Sequence, residues 1–211
     1  MKSFIFLYLF QIIFSSDIIV SSDEKIVTIG GSITDIVFAL GVGESVAAVD
    51  QSSTLPEIVK SLPQVGYVRS ISAEGILSMS PTKILASSDI GPPNVIDQLN
   101  QSGVEFKIFD SPMSFDDVFT TIDSISLFLK VYENGLVLKE KLKSELNRIN
   151  EFKSSLNNSS LNIAFFMNPS SSSFNAAGSG TRASYLIDFI GGSNVYEDSF
   201  KRYNKVNKET I

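Results

Sequence analysis

The residues with the clearest chemical potential lie at positions 64–75, which read QVGYVRSISAEG. No hydrophobic alternation or helical period covers residues 66–70, and this indicates an exposed loop, where binding residues concentrate. Tyr67 and Arg69 lie on that loop, and a fixed positive charge beside a phenol favours the phenolate. A phenolate is a hard oxygen ligand suited to ferric iron, and tyrosine is one of the known axial ligands of haem. The alternative is an ordinary pair of surface side chains that stack or cover apolar area.

The composition excludes several other kinds of site. The chain has no histidine and no cysteine, so Ser-His and Cys-His nucleophiles, Cys/His zinc sites and thiolate-held clusters are excluded. Its 23 acidic residues outnumber its 17 basic ones, and the net charge of −6 gives no bulk attraction for nucleic acid. Asp116 and Asp117 are interpreted as charges that stabilise a helix start. We therefore expect no catalytic residue and no enzyme activity.

The first 22 residues have the pattern of a signal peptide. Lys2 precedes the apolar run FIFLYLFQIIF at positions 4–14, which is too short to span a bilayer core of roughly 30 Å comfortably. Cleavage after Ser22 is predicted, with cleavage after Ser16 or an uncleaved anchor as the alternatives. Since the chain lacks a cysteine that could carry a lipid, we expect a soluble protein in the periplasm.

Strands and helices must position the tyrosine loop, and their patterns alternate at short intervals up to about residue 110. Ser32 follows Gly30-Gly31 and is interpreted as a helix cap, because no base is available to activate it as a nucleophile. Alternation of this kind predicts an α/β lobe with a mainly parallel sheet. Strands are predicted at residues 25–30, 45–50, 83–87 and 104–110, with short helices at 33–40, 55–62, 73–79 and 92–100.

Two helical patterns follow, at residues 114–131 and 133–156, and the apolar stripe of the second predicts a spine that joins two lobes. A second sheet is predicted from residue 161. The glycine turn at 178–181 leads into a helix whose N-terminus can meet a carboxylate or phosphate, with packing alone as the alternative. The predicted divisions are a signal peptide (1–22), an N-terminal α/β lobe (23–112), a helical spine (113–158) and a partial C-terminal α/β lobe (159–211).

Four segments of the chain resemble periplasmic haem-binding proteins, the substrate-binding components of haem ABC importers. They read VTIGGSITDIVFALGVGESVAAVDQSSTLPE, VGYVRSISAEGILSMSPTKILAS, GPPNVIDQLNQSGVEFKIFD and AAGSGTRASYLIDFIGGSNV. The resemblance covers most of the chain after the first two dozen residues. It implies a class III periplasmic binding protein fold, in which two Rossmann-like lobes are joined by a spine helix and haem is held between the lobes. The last residues, VNKETI, resemble the start of a further helix, so we expect an incomplete second lobe and a truncated chain.

The resemblance implies roles for individual residues. Tyr67 in VGYVR would be the axial ligand of ferric haem iron, and Arg69 would support it. Some relatives add a histidine ligand, but this chain has none, so either Tyr67 acts alone or a methionine such as Met167 lies near the opposite face. The propionates would meet glycine-turn amides and a cation, for which the candidates are Gly178, Gly180, Arg182 and Lys201.

The resemblance also implies a partner. Glu74 in SAEG and Glu209 in NKET would pair with arginines of an inner-membrane ABC permease, which works with its ATPase, and the receptor is expected to be a monomer. One alternative is the same fold carrying a ferric siderophore or a corrinoid, ligands that need no axial tyrosine. Another is a truncated interaction protein that binds no ligand.

Overall fold

The computed structural model describes residues 24–155, 161–167 and 173–207. The predicted signal peptide and Glu209 lie outside the described residues. The chain divides into two compact units. The first runs to Phe109 and includes Leu127–Val131, and the second comprises Asp110–Ser126 and the chain from Tyr132 onward. No helix among the described residues is both long and apolar enough to cross a membrane.

The first unit is a parallel sheet of four strands with helices between them. The sheet order is β2-β1-β3-β4, and every neighbouring pair is parallel. This confirms the predicted α/β class with a parallel sheet. The elements are β1 (Ile26–Ile29), α1 (Gly31–Ala39), β2 (Val46–Val49), α2 (Ala73–Leu77), β3 (Lys83–Ser87), α3 (Pro93–Gln101) and β4 (Glu105–Phe109), with 3₁₀ helices at Gly43–Ser45, Glu57–Ser61 and Val68–Ser70.

The two central strands explain why the sheet forms. Every residue of β1 and β3 is buried, as expected for a parallel sheet that is covered on both faces. Ile84 of β3 and Leu99 of α3 belong to the same core cluster, and neither has any exposed surface. Burying one such side chain contributes roughly 1.5–3 kcal/mol. The edge strand β4 is mostly exposed, whereas the other edge strand, β2, is mostly buried.

The turn between β1 and α1 differs from the sequence prediction. The helix begins at Gly31, so Ser32 lies within its first turn and the prediction that Ser32 caps it is wrong. The loop after β2 provides the missing acceptors instead: the Gly30 amide donates to Asp50 Oδ1 at 2.8 Å, and the Gly31 amide donates to Ser52 Oγ at 3.2 Å. Asp50 is fully buried and also accepts hydrogen bonds from the Ser52 amide and the Ser53 hydroxyl.

The second unit contains two helices followed by short strands that form two sheets. β5 and β8 are a parallel pair, and β6, β7 and β9 form an antiparallel sheet in the order β6-β7-β9. The elements are α4 (Phe115–Phe128, whose last two residues belong to the first unit), α5 (Tyr132–Ser155), β5 (Asn162–Ile163), β6 (Phe166–Met167), β7 (Ser173–Ala177), α6 (Arg182–Phe189), β8 (Ser193–Asn194) and β9 (Tyr203–Asn207).

Strand β9 corrects the interpretation of the VNKETI segment as the start of a helix. Val206 and Asn207 pair with Phe174 and Ser173 of β7 in an extended conformation. The antiparallel pairing continues back to Tyr203, and its inter-strand hydrogen bonds hold this stretch extended. Residues 208–211 lie outside the described residues.

The long helix α5 packs less completely than its sequence pattern predicts. Ile149, the last member of the apolar stripe, is 42% exposed. Near the other end, Gly135 is buried, and a Cβ built there would lie 2.5 Å from Ser126 Oγ of α4. The missing side chain at Gly135 therefore allows α5 to approach α4 closely.

Candidate functional site

The loop that carries Tyr67 is joined by backbone hydrogen bonds to the end of β2. The Val65 amide donates to the Val49 carbonyl at 2.9 Å, and the Gln51 amide donates to the Gly66 carbonyl at 2.8 Å. Gly66 has a φ of +113°, a conformation that side-chain-bearing residues rarely adopt. This glycine lets the chain turn out of the sheet direction immediately before Tyr67.

The other end of the loop is joined to the turn after β3. The Gly91 amide donates to the Val68 carbonyl at 2.9 Å, and the Ile71 amide donates to the Gly91 carbonyl at 3.1 Å. Val68 and Ile71 are buried in the core of the first unit. The loop therefore lies at the carboxyl ends of β2 and β3, the edge at which open α/β sheets bind ligands.

Tyr67 faces solvent from this anchored loop. Its side chain is 47% exposed, whereas the adjacent Val68 is only 6% exposed. No hydrogen-bond partner is found for the Tyr67 hydroxyl group among the residues that the structure describes. The predicted exposure of Tyr67 is confirmed, whereas residues 68–70 form a 3₁₀ helix and Val68 is buried.

Arg69 lies on the same loop and contacts Asp89. Its Nη2 atom is 3.3 Å from Asp89 Oδ1, and both side chains are well exposed. Asp89 belongs to the turn that also contains Gly91. Sequence analysis missed Asp89, because it lies 20 positions after Arg69 and no local pattern connects the two residues.

Glu74, the predicted docking residue, lies in the first turn of α2. Ser72 caps this helix, since its hydroxyl oxygen accepts a hydrogen bond from the Gly75 amide at 3.3 Å. Glu74 is exposed, and within the described part of the chain its carboxylate has no hydrogen-bond or ion-pair partner. The pairing of Glu74 with a permease stays a prediction, as does the role of Glu209.

In the glycine turn before α6, some of the groups that were predicted to bind propionates already form hydrogen bonds within the protein. The Gly178 amide donates to the Arg202 carbonyl at 2.8 Å, and a Cβ at Gly178 would lie 2.0 Å from the Phe200 carbonyl oxygen. Gly180 is exposed with a φ of +67°. Arg182 is exposed, and its Nε donates to the Pro112 carbonyl at 2.7 Å. A carboxylate would therefore meet the outer guanidinium nitrogens of Arg182 more easily than the Gly178 amide.

The two remaining candidates lie elsewhere in the second unit. Met167 is half-buried in β6, where it pairs with Asn175. Lys201 is exposed and forms an isolated backbone bridge with Ser179. Their predicted roles stay predictions.

A polar pocket of about 530 Å³ lies on one side of α6. Three of its lining residues form a hydrogen-bonded group: the Ser184 hydroxyl donates to Glu197, and the Asn194 side-chain amide donates to Ser184 Oγ at 3.1 Å. Sequence analysis singled out none of the three, because they are separated along the chain by several residues of other types. Among the described residues, no group of three or more Asp, Glu, His or Cys side chains is arranged to hold a metal ion.

Comparison with known proteins identifies relatives over most of the chain. The profile of a family described as periplasmic binding protein matches residues 26–211. The structure titled periplasmic heme-binding protein RhuT from Roseiflexus sp. RS-1, in apo form, is 32% identical with a TM-score of 0.82, and the match covers 88% of this chain and 71% of that one. The structure of periplasmic heme-binding protein BhuT in complex with two hemes is 28% identical with a TM-score of 0.83, covering 88% and 72%.

Another relative is named for a different ligand. The vitamin B12-binding protein of Yersinia pestis (strain Pestoides F) is 24% identical over 188 residues, which are 89% of this chain and 65% of that protein. The chain thus spans just under two thirds of the length of this relative. The similarity to class III periplasmic binding proteins that the four sequence segments predicted is confirmed, and both haem-binding and corrinoid-binding proteins lie among the relatives.

Proposed function

The chain belongs to the periplasmic binding protein family, and from this we propose that it is a periplasmic receptor that binds ferric haem through Tyr67 and delivers it to an ABC permease for haem uptake. Members of this family are substrate-binding transport proteins and not enzymes. Haem is the transported ligand here, with its iron bound by the Tyr67 phenolate. We propose that the receptor acts as a monomer.

The observation that carries the proposal is that the Tyr67 hydroxyl group has no hydrogen-bond partner among the residues that the structure describes. Its loop is fixed at both ends by backbone hydrogen bonds and by buried valine and isoleucine side chains. The phenol is therefore positioned before any ligand arrives, so binding does not require the loop to be ordered first. Arg69 lies two residues further along the same loop, where the sequence resemblance assigns it a supporting role. Two relatives of solved structure are named as heme-binding proteins, which supports haem as the ligand.

Residues of the second unit and two glutamates complete the proposal. Gly180 and Arg182 would face the propionates, because Gly180 is exposed and, within the described segments, the outer nitrogens of Arg182 have no hydrogen bond while its Nε donates to Pro112. Gly178 would shape the turn while its amide stays bonded to Arg202. Glu74 and Glu209 would dock on the permease.

A corrinoid is the second candidate ligand, and the vitamin B12-binding relative favours it. The two ligands differ in what they require from Tyr67. Ferric haem needs a protein ligand for its iron, whereas a corrinoid that carries its own axial ligands needs none. Replacing the tyrosine therefore distinguishes the two candidates.

The test is a titration of the purified protein with hemin, followed by absorption spectroscopy. Tyr132→Phe is the matched control for Tyr67→Phe, because Tyr132 is 49% exposed but lies on α5. We expect saturable binding and a tyrosinate-to-iron charge-transfer band for the wild type and Tyr132→Phe, and loss of the band in Tyr67→Phe. Absence of saturable hemin binding by the wild type would refute the proposal. Saturable cyanocobalamin binding that Tyr67→Phe leaves unchanged would support the corrinoid instead.

A further inference from the structure

We infer that Asp50 is a positioning residue of the proposed ligand site: its buried carboxylate fixes the chain at the end of β2, and this stretch in turn holds the residue that precedes Tyr67. The inference rests on the proposed haem-binding function, which it deepens by naming what prepares the Tyr67 loop for a ligand. Asp50 has no exposed surface, so it acts through the backbone.

The Asp50 carboxylate joins two turns through three hydrogen bonds. Its Oδ1 atom accepts from the Gly30 amide and from the Ser53 hydroxyl group, both at 2.8 Å. Its Oδ2 atom accepts from the Ser52 amide at 2.9 Å. Gly30 belongs to the turn between β1 and α1, whereas the two serines belong to the loop after β2. Because both oxygen atoms have partners in fixed directions, the carboxylate sets the positions of these two turns relative to each other.

The hydroxyl group of Ser53 extends the hydrogen bonds of Asp50 into the core. Ser53 Oγ lies 2.7 Å from Thr34 Oγ1 on α1, and Thr34 Oγ1 lies 2.8 Å from Thr28 Oγ1 on β1. All four side chains are at most 2% exposed. Burying polar groups is costly unless they form hydrogen bonds, and each of these groups has a partner. The end of β2 therefore cannot shift without breaking buried hydrogen bonds to β1 and α1.

The residues on either side of Asp50 hold the loop that carries the candidate iron ligand. The Val49 carbonyl accepts from the Val65 amide at 2.9 Å, and the Gln51 amide donates to the Gly66 carbonyl at 2.8 Å. Gly66, with its φ of +113°, is the residue at which the chain turns towards the tyrosine. A shift of Asp50 would therefore release the loop at this turn.

The effect on ligand binding should be moderate, because the Tyr67 loop has a second anchor. Backbone hydrogen bonds that join Val68 and Ile71 to Gly91 hold its other end. Release of the first end would let the phenol sample other positions, and haem would then have to order it on binding. The cost of ordering one side chain corresponds to a loss of affinity of about two- to tenfold.

The first measurement is amide hydrogen exchange of the ligand-free protein, followed by NMR. Asp50→Asn keeps the size of the side chain but replaces one of its two acceptor oxygens by a group that only donates. We expect the Val65 and Gln51 amides to exchange about five- to tenfold faster in this variant, while the amides of β3 change less. Ser52→Ala is the matched control, because it removes only the hydrogen bond to the Gly31 amide at the same turn.

The second measurement is a hemin titration of the same variants, well below their unfolding temperatures. Asp50→Asn should bind hemin about two- to tenfold more weakly and keep the tyrosinate-to-iron charge-transfer band. A variant that merely lowers global stability would not change the affinity of the folded protein. Ser52→Ala should match the wild type, and Ser53→Ala, which removes one of the three donors, should give a smaller loss than Asp50→Asn.

The outcomes separate this inference from the proposed function. Exchange that rises equally in β3, or that does not rise at the Val65 and Gln51 amides, would overturn the inference. An unchanged hemin affinity in both Asp50→Asn and Ser53→Ala would overturn it as well. A wild type without a Tyr67-dependent band would overturn the proposed function and with it any role in haem binding, whereas the exchange rates would still show whether the carboxylate holds the loop.

Discussion

The Lys83 ammonium group at the start of β3 lies 3.6 Å from the Glu105 carboxylate at the start of β4. It also pairs with Glu24, which precedes β1, so one buried cation links three chain segments at the amino-terminal edge of the sheet. The Lys83 side chain is 9% exposed, whereas those of Glu24 and Glu105 are 23% and 54% exposed. The lysine is thus the central and most buried charge of the group.

Lys83→Met should destabilise the protein by roughly 1–3 kcal/mol, because hydrogen bonds to charged groups are lost while both glutamates stay hydrated. Urea unfolding measures the change. Lys60→Met is the matched control, since Lys60 pairs with Glu57 on an exposed turn and such pairs contribute about 0–1 kcal/mol. Equal effects of the two substitutions would contradict the role assigned to Lys83.

The same lysine should make stability depend on alkaline pH. Burial alone would lower the pKa of Lys83, but its hydrogen bonds and charge interactions with Glu24 and Glu105 outweigh burial and raise it. A raised pKa in the folded state adds stability that is fully present below the unfolded value of about 10.4 and is lost as pH rises through the folded value. The difference in stability between wild type and Lys83→Met should therefore be constant from about pH 8 to 10 and shrink above that range. A difference that grows with pH would refute this.

Asp117 should stabilise the start of α4 in an acid-sensitive way. Its carboxylate accepts a hydrogen bond from the Met113 amide at 3.0 Å and from the Ser114 amide at 2.9 Å. Hydrogen bonds from Met113 and Ser114 hold the pKa of Asp117 below its usual value. The stabilisation is present above the unfolded value, about 3.9, and is lost as pH falls through the lowered folded value. Asp117→Asn should lower the melting temperature at pH 7 more than Asp116→Asn does, and the difference should vanish in strong acid.

Gly30→Ala should destabilise the β1–α1 turn for two separable reasons. Gly30 has a φ of +105°, and its added Cβ would lie 2.6 Å from Ser87 Oγ. Gly103→Ala is the control for backbone strain alone, because Gly103 has a φ of +78° but open space around it. Overpacking typically costs about 1–3 kcal/mol. The loss of unfolding free energy, measured in urea, should therefore be larger for Gly30→Ala than for Gly103→Ala by about that amount. Similar losses of stability at both positions would show that Ser87 moves away from the added Cβ at no cost.

Glu74→Gln should separate docking from ligand binding. Glu74 is exposed on α2 and lies outside the Tyr67 loop, so hemin titration should be unchanged. Receptor-stimulated ATP hydrolysis by the reconstituted permease should fall about two- to fivefold through loss of a rim charge. Asp97→Asn, an exposed change on α3, is the control. A full ATPase response with Glu74→Gln would exclude the docking role.

Local sequence patterns were sufficient to predict the four strands of the first unit. The run at residues 83–87 predicted β3 with its observed bounds, and all five of its residues are buried. The exposed loop around Tyr67 was predicted because residues 66–70 lack any apolar period. The roles of the candidate site residues stay predictions that the titrations above test.

The failures share a dependence on residues distant in sequence. Ser32 looked like a cap, but Asp50 and Ser52 supply the acceptors from the loop after β2. Strand β9 owes its extended form to β7, about 30 residues earlier. The contact between Arg69 and Asp89 likewise exists only once β2 and β3 are brought into one sheet. A hydrophobic period covers only residues that are close in sequence, so it cannot predict these contacts.

The buried carboxylate of Asp50 has a consequence for ligand selection. In α/β folds, the backbone amides at the start of the first helix commonly bind phosphate groups. Here the Gly30 amide already donates to Asp50 Oδ1, and the carboxylate has no exposed surface. The Asp50 side chain therefore already accepts the hydrogen bond that a phosphate group would otherwise accept from the Gly30 amide, so this turn does not offer that amide to inorganic phosphate or nucleotides.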